Sequence, residues 1–265
     1  MKLAGSSVLL TGATGGIGRS IARALDGRGA HMLLTARRAD RLNELRAELG
    51  GRPECLPADL TDAAAPSALV ERAGAVDVLV ANAALPASGR VDDFSPAEID
   101  RALDVNLRAP MQLVRALIPG MRERGRGHLV FVSSLSGKVS SARSAVYSAT
   151  KFGLRGFASG LREDLHGTGV GVTVVFPSFV SEAGMWAETG VKLPPWVALR
   201  TPGDVARAVV RGVERERPEI DVAPLPLRAA ALAAAVAPVT TARLQRRLGS
   251  EQIASDVVRA QRVKR

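Results

Sequence analysis

One cysteine, Cys55, is all the chain has. No intrachain disulfide can form, and the three histidines (His31, His128, His166) are scattered, so no Cys/His cluster has metal-ligand spacing and no metal is expected. This cysteine usage suits a reducing compartment, and a cytoplasmic protein is expected. Aromatic residues are scarce, at 3%. No apolar run reaches the roughly 18 to 20 residues of a membrane span, and the opening Met-Lys-Leu-Ala-Gly-Ser-Ser has no apolar signal region. Acids are also in short supply, 26 against 36 Lys and Arg, for a formal charge of +10. Most of that excess is local: from 228 to 265 eight basic residues face two acids, a net +6, which leaves +4 for the first 227 residues. The basic tail has no aromatic residue on which a base could stack, so nucleic acid is not expected as a partner.

What the chain does have is 265 residues, 46% of them hydrophobic, enough for one large α/β domain or two small ones. Its chemistry centres on residues 131 to 151, which read Phe-Val-Ser-Ser-Leu-Ser-Gly and, ten residues on, Tyr-Ser-Ala-Thr-Lys. Tyr147 and Lys151 are four apart, so a helix puts both side chains on one face. An ammonium about 4 to 5 Å from a phenol is worth roughly 3 to 4 kcal/mol at an effective dielectric near 20. That would bring the phenol from near 10 to about 7 or 8, where a general acid works best at neutral pH. Taken alone, Tyr-x-x-x-Lys also recurs in many helices as a surface contact.

The surroundings decide between the two. The apolar run Val8-Leu9-Leu10 leads at once into Thr11-Gly12-Ala13-Thr14-Gly15-Gly16-Ile17-Gly18 and then a helical pattern through Ile21, Ala22 and Leu25. Strand, glycine turn and helix is the sequence form of a dinucleotide site: glycines let the backbone approach a pyrophosphate, and the helix N-terminus meets its charge. Further apolar runs at 31–35, 54–56, 76–81, 128–133, 170–176 and 219–222 read as strands alternating with helices, which predicts a doubly wound parallel sheet. Ser95-Pro96-Ala97-Glu98 and Thr201-Pro202-Gly203-Asp204 are helix starts.

Thr-Gly-x-x-x-Gly-x-Gly with Tyr-x-x-x-Lys downstream resembles the short-chain dehydrogenase/reductase family, and the likeness runs over roughly residues 1 to 222. It implies a Rossmann-type α/β fold as a single domain with a C-terminal helical extension over 223–265. It also implies an oxidoreductase that interconverts an alcohol and a ketone or aldehyde, usually as a homo-oligomer. In the family's terms Tyr147 is the proton donor, Ser134, thirteen residues before it, orients the substrate, and Lys151 tunes the phenol and holds the nicotinamide ribose. Asn106 then corresponds to the asparagine that holds a water near the lysine. The cofactor is expected to contact Gly12, Thr14, Gly16, Ile17, Gly18, Asp59, Leu60, Asn82, Tyr147, Lys151, Pro177 and Val180. The second strand ends in Ala36-Arg37-Arg38 where an NAD enzyme would carry an acid; an arginine fork matches a phosphate, so Arg37 and Arg38 favour NADP over NAD.

Two positions depart from the family's pattern: Ala84 stands where Asn-Ala-Gly has its glycine, and Ser178 where Pro-Gly has its own, leaving Ser181 to reach the nicotinamide carboxamide. The glycine turn also fits the longer epimerase and dehydratase branch, which the length disfavours. A catalytically idle, cofactor-bound regulator is a further alternative, since fold does not fix function.

Three features lie beyond the motifs. Gly153, Gly156 and Gly160 on the Tyr-Lys helix would suit a helix-to-helix contact with a second copy or packing on the chain's own sheet. Residues 178–200, with Phe179, Trp186 and Trp196 among glycines and prolines, suggest a substrate lid and an apolar substrate. The Ala/Leu/Val-rich segment from 225, followed by Arg243, Arg246 and Arg247, has the pattern of a peripheral membrane element over 225–247, or of a helix folded back on the domain or across a dimer.

Overall fold

The computed structural model describes residues 1–191, 197–247 and 250–261. Trp196, Pro194 and Pro195 of the expected lid lie outside the described residues. Seven parallel strands form one sheet in the order β3-β2-β1-β4-β5-β6-β7. They are β1 (Ser7–Thr11), β2 (His31–Thr35), β3 (Glu54–Cys55), β4 (Val78–Ala81), β5 (Gly127–Val132), β6 (Val170–Pro177) and β7 (Glu219–Val222). The order reverses between β1 and β4, which opens a crevice at the carboxyl ends of these strands.

Helices cover both faces, so the central strands are apolar throughout rather than alternating. On one face α1 (Gly16–Asp26), α2 (Ala39–Glu48) and α7 (Pro202–Arg215) bury Ile21, Leu25, Leu42, Leu45, Val205 and Val209 against Val8, Leu10, Val80 and Val130. On the other, α3 (Ala65–Ala73), α5 (Ala109–Glu123) and α6 (Ala145–Asp164) bury Leu69, Leu113, Leu117, Leu154 and Leu161 against Leu9, Leu79, Leu129 and Phe131. Alternate residues of one strand thus serve opposite cores, as the pleat requires.

Ser95 caps α4 (Pro96–Leu103) with its hydroxyl on the Glu98 N–H, and Thr201 caps α7 in the same way through Asp204. Between α4 and α5 the chain makes a π-helical turn over Asp104–Arg108. This displaces Asn106 from the regular helical ladder and points it inward, where it is buried. After β7 come three helices, α8 (Leu225–Val236), α9 (Pro238–Arg247) and α10 (Ser250–Gln261). Among the described residues no helix is long and apolar enough to cross a membrane.

Candidate active site

The turn after β1 is held from β4. Asn82, the first residue past that strand, donates its side-chain amide to the carbonyls of Thr11 (3.1 Å) and Gly12 (3.2 Å). Thr11 Oγ1 in return accepts the backbone N–H groups of Asn82 and Ala83, both at 3.0 Å. The fit is tight enough that Gly12, at φ +63°, has no room for a side chain: a Cβ there would lie 2.8 Å from the Ala83 Cα. A Cβ on Gly18 would collide with the Gly12 carbonyl. Ala84 therefore leaves the Asn82 contacts intact, and Thr14, Ile17 and Gly15 remain at least partly exposed around the turn.

The N-terminus of α1 emerges here with no side-chain cap and no acid in its first turn, so its N–H groups and positive dipole end are left for an anion. Arg37 and Arg38, at the end of β2, are exposed and form no ion pair among the described residues. Asp59, just past β3, accepts from the N–H and hydroxyl of Thr61 in a local turn. Leu60 next to it is buried in the core, so only its backbone is available to a bound ring.

Beyond the turn, β5 leads into Ser133 and Ser134, whose side chains take different partners. Ser133 is buried and donates to the Lys151 carbonyl at 3.3 Å, on the flank of α6. Ser134 instead lies beside the Tyr147 phenol, on whose pKa it pulls downward, and accepts the Ser136 N–H at 3.1 Å. The geometry thus separates Ser134 from its neighbours as the hydroxyl beside the phenol. Gly137 lets this short helical turn lie on α6, since a Cβ there would be 2.8 Å from both the Lys151 carbonyl and the Ser133 hydroxyl.

On α6, Lys151 is 2% exposed and its Nζ donates to the Val132 carbonyl at 3.2 Å. Nζ lies 5.6 Å from the centre of the Tyr147 ring, over its face. Burial pulls Lys151 down to about 8. Burial also pushes the Tyr147 phenol up to about 12, against a smaller downward pull from Ser134. This corrects the expectation of a phenol near 7 or 8: the four-residue spacing brings the ammonium to the ring, but its bond goes to Val132 and desolvation dominates.

Asn106 acts as a staple. Its Oδ1 accepts the Leu85 N–H at 2.7 Å and its Nδ2 donates to the Leu85 carbonyl at 3.0 Å, fixing the loop after β4. The same Nδ2 reaches Thr150 Oγ1 at 3.4 Å, and Thr150 donates to the Tyr147 carbonyl at 2.8 Å. With both amide ends engaged, the side chain ties loop and α6 together. Thr150 was not singled out from the sequence, because a buried threonine beside a motif lysine has no signature of its own.

Pro177 closes β6, and Ser178 stands next to it in a conformation open to any residue, so the missing glycine costs no strain. Val180 is buried and bridges to Arg200, and Ser181 sends both its N–H (2.8 Å) and its hydroxyl (3.2 Å) to the Arg200 carbonyl. Past this clamp Glu182 adopts a left-handed backbone, φ +64°, unusual for a side-chain-bearing residue. Ala183 then rests directly on Gly16, in the space a side chain there would need, and Gly184 lies against Ile17. The aromatic pair Phe179 and Trp186 packs edge to face at 4.5 Å, and Gln261 of α10 donates to the Met185 carbonyl at 3.3 Å. The segment expected to be a lid is thus seated over the glycine turn and joined to the C-terminal extension. Nothing in the sequence around Ala183 or Gln261 announces these long-range contacts.

These residues fit a dinucleotide. The turn excludes side chains where a diphosphate would approach, the α1 N-terminus has no side-chain cap and no acid in its first turn, and Arg37 and Arg38, without an ion pair among the described residues, stand at the end of the neighbouring strand. Among the described residues no group of His, Cys, Asp and Glu could hold a metal.

Residues 6–193 match the short-chain dehydrogenase family. The chain belongs to that family. It is similar to a protein of Nostoc sp. described as the ketoacyl reductase HetN, 40% identical over 228 residues that cover 83% of this chain and 79% of that one. Among solved structures it resembles a serine dehydrogenase complexed with NADP+ (TM-score 0.74, 32% identity, 83% of this chain and 95% of that one). A short-chain dehydrogenase from Sphingobium yanoikuyae in complex with NADPH is similarly close (TM-score 0.76, 29% identity, 89% and 95%). The seven-stranded parallel sheet, the glycine turn and the Tyr147–Lys151 helix are this oxidoreductase family's architecture, as the sequence motifs implied.

Proposed function

We propose that the protein is an NADP(H)-dependent oxidoreductase that interconverts an alcohol and a ketone or aldehyde on an apolar substrate. The observation that carries this reading is the convergence of Ser134, Tyr147 and buried Lys151 at the crevice beside the glycine turn. NADP(H) rather than NAD(H) rests on Arg37 and Arg38, both exposed and without a carboxylate partner among the described residues. The NADP+ and NADPH complexes of two similar structures support it.

The cofactor would supply hydride to the carbonyl carbon. The chain's own residues do the rest. Ser134 donates to the carbonyl oxygen and orients it, and Tyr147 delivers its proton to that oxygen as negative charge develops there. A phenol held near 12 keeps its proton through neutral pH, which suits the reductive direction; the reverse reaction needs the phenolate and is favoured by alkali. Lys151, with one acceptor in Val132 and two more ammonium protons to place, is positioned to bind ribose hydroxyls and to steady the phenolate left behind. Asn106, at the π-helical turn, holds the Leu85 loop and α6 at the spacing the proton's exit path needs.

An apolar substrate is supported by the surroundings of Tyr147, which packs with Ala87, Phe94, Ile99, Ala102 and Val146, and by the Phe179–Trp186 pair of the lid. A relative described as a ketoacyl reductase is consistent with it. A second copy of the chain is expected on the outer face of α6: Gly153 packs on Leu107 of its own chain, whereas Gly156 and Gly160 face open space beside exposed Phe152. The test is a turnover screen with NADPH and NADH over ketones from small to polycyclic and acyl-chain size. NADPH oxidation that strengthens with apolar size supports the reading, and no turnover of any member by either cofactor opposes it.

A further inference from the structure

Nine large apolar side chains are exposed among the described residues, and five of them, Leu225, Leu232, Val236, Val239 and Leu244, fall on α8 and α9. They are not folded back on the domain: Val236 is 83% exposed and Leu225 74%. On α8 the positions 225, 229, 232 and 236 recur at helical spacing, so Leu225, Ala229, Leu232 and Val236 make one outward stripe. The charge around them has one sign. Between Asp221 and Glu251 there is no acid; Arg228 pairs with Asp221 at 3.8 Å, while Arg243, Arg246 and Arg247 are exposed and form no ion pair among the described residues.

We propose that this outward face of α8 and α9 docks on an anionic lipid surface, lying in the plane of the headgroups. Helices of 12 and 10 residues are too short to cross a bilayer, but an apolar stripe flanked by arginines matches the headgroup boundary, where aliphatic side chains enter and guanidiniums meet lipid phosphates. A second copy is a poorer occupant, since a two-fold contact would set the Arg243, Arg246 and Arg247 cluster against its own copy, and the one acid beside these helices, Asp221, already pairs with Arg228. A protein partner would be expected to meet aromatic anchors, and none occurs after Trp196. The same extension reaches the lid through Gln261 and the Met185 carbonyl, so docking brings the active-site cover to the lipid. The proposal stands apart from the catalytic reading, because its test reads no turnover.

The experiment is sedimentation of the full chain with phosphatidylcholine vesicles, with or without phosphatidylglycerol, at low and high salt. Two variants accompany it, Arg243→Gln/Arg246→Gln/Arg247→Gln and Leu232→Ser/Val236→Ser. All five positions are exposed, so the domain core is untouched. Hydrogen exchange of the unmodified chain, with and without the anionic vesicles, supplies a readout that needs no variant. The expected result is pelleting with anionic vesicles only, released by salt, weakened on the order of a hundredfold by the arginine substitutions and lost with the serines. Protection by lipid should be confined to residues 225–247. Failure of the full chain to pellet with anionic vesicles at low salt overturns the proposal, as does binding indifferent to both variants. Self-association in solution that the serine pair abolishes also overturns it, by assigning the face to a second copy.

Discussion

The ammonium of Lys151 sits over the ring of Tyr147, 5.6 Å from its centre, and spends one hydrogen bond on the Val132 carbonyl. The pair is therefore a buried cation beside a partly buried neutral phenol, and their titrations move in opposite directions from those of exposed groups, Lys151 down to about 8 and Tyr147 up to about 12. Tyr147 is the chain's only tyrosine, so phenolate absorbance titrates it alone. The cofactor-free protein should show no phenolate below about pH 10, and alcohol oxidation should climb about tenfold per pH unit while carbonyl reduction stays level near neutrality. A phenol that titrates near 7 or 8 would restore the simple charge-pair argument from spacing.

On the proposed reading, cofactor choice depends on Arg37 and Arg38. Replacing both by alanine should weaken NADPH far more than NADH, since a charge-assisted pair is worth about 1.5 to 3 kcal/mol, roughly ten- to a hundredfold in affinity. Titration calorimetry of both cofactors with parent and double variant measures this. Equal affinity of the parent for the two would remove the role.

If the segment over the glycine turn acts as a lid, a kinetic expectation follows. Gln261→Leu keeps the bulk of the side chain but cannot donate to the Met185 carbonyl, so amide exchange across 181–191 should quicken and NADPH should dissociate several-fold faster. Unchanged lid exchange would mean that α10 does not hold it.

His128 makes a stability prediction of definite sign. It is buried at the start of β5, with Nε2 2.8 Å from Thr173 Oγ1, and burial pulls it down to about 4 from an ordinary 6.5. Between these values the unfolded chain takes up a proton that the folded one refuses, so stability is full above about pH 6.5 and falls as pH drops towards 4. The loss is up to about 3 kcal/mol at 1.4 kcal/mol per unit. Denaturant melts across this range should show a shallower acid limb for His128→Gln, whatever its stability at pH 7.

How much of this was legible in the sequence varies with the range of the contact. The glycine turn, the capping boxes at Ser95 and Thr201, the sheet and the Tyr147–Lys151 helix are local patterns whose residues are close in the chain, and the motifs fixed their arrangement. Ser134 could be chosen over Ser133 only by the family's spacing; in the structure Ser134 lies beside the phenol while Ser133 donates to the Lys151 carbonyl, a difference that the local sequence does not announce. Spacing put Lys151 near Tyr147 but could not show that its proton goes to Val132, because that acceptor comes from another strand. Ala183 on Gly16 and Gln261 on Met185 join segments far apart in sequence, with nothing local to mark them. The Ala/Leu-rich tail has no alternation of polar and apolar faces sharp enough to reveal which side would stay uncovered.

The measurement that bears most directly on the account is NADPH-dependent carbonyl reduction by Tyr147→Phe beside the parent and Lys151→Met, with NADPH affinity determined for all three. The phenylalanine variant should bind NADPH as the parent does and lose turnover by several orders of magnitude, while the methionine variant loses both turnover and affinity. A Tyr147→Phe enzyme that turns over within about tenfold of the parent, less than general acid catalysis typically contributes, would contradict the assignment of that phenol as the proton donor.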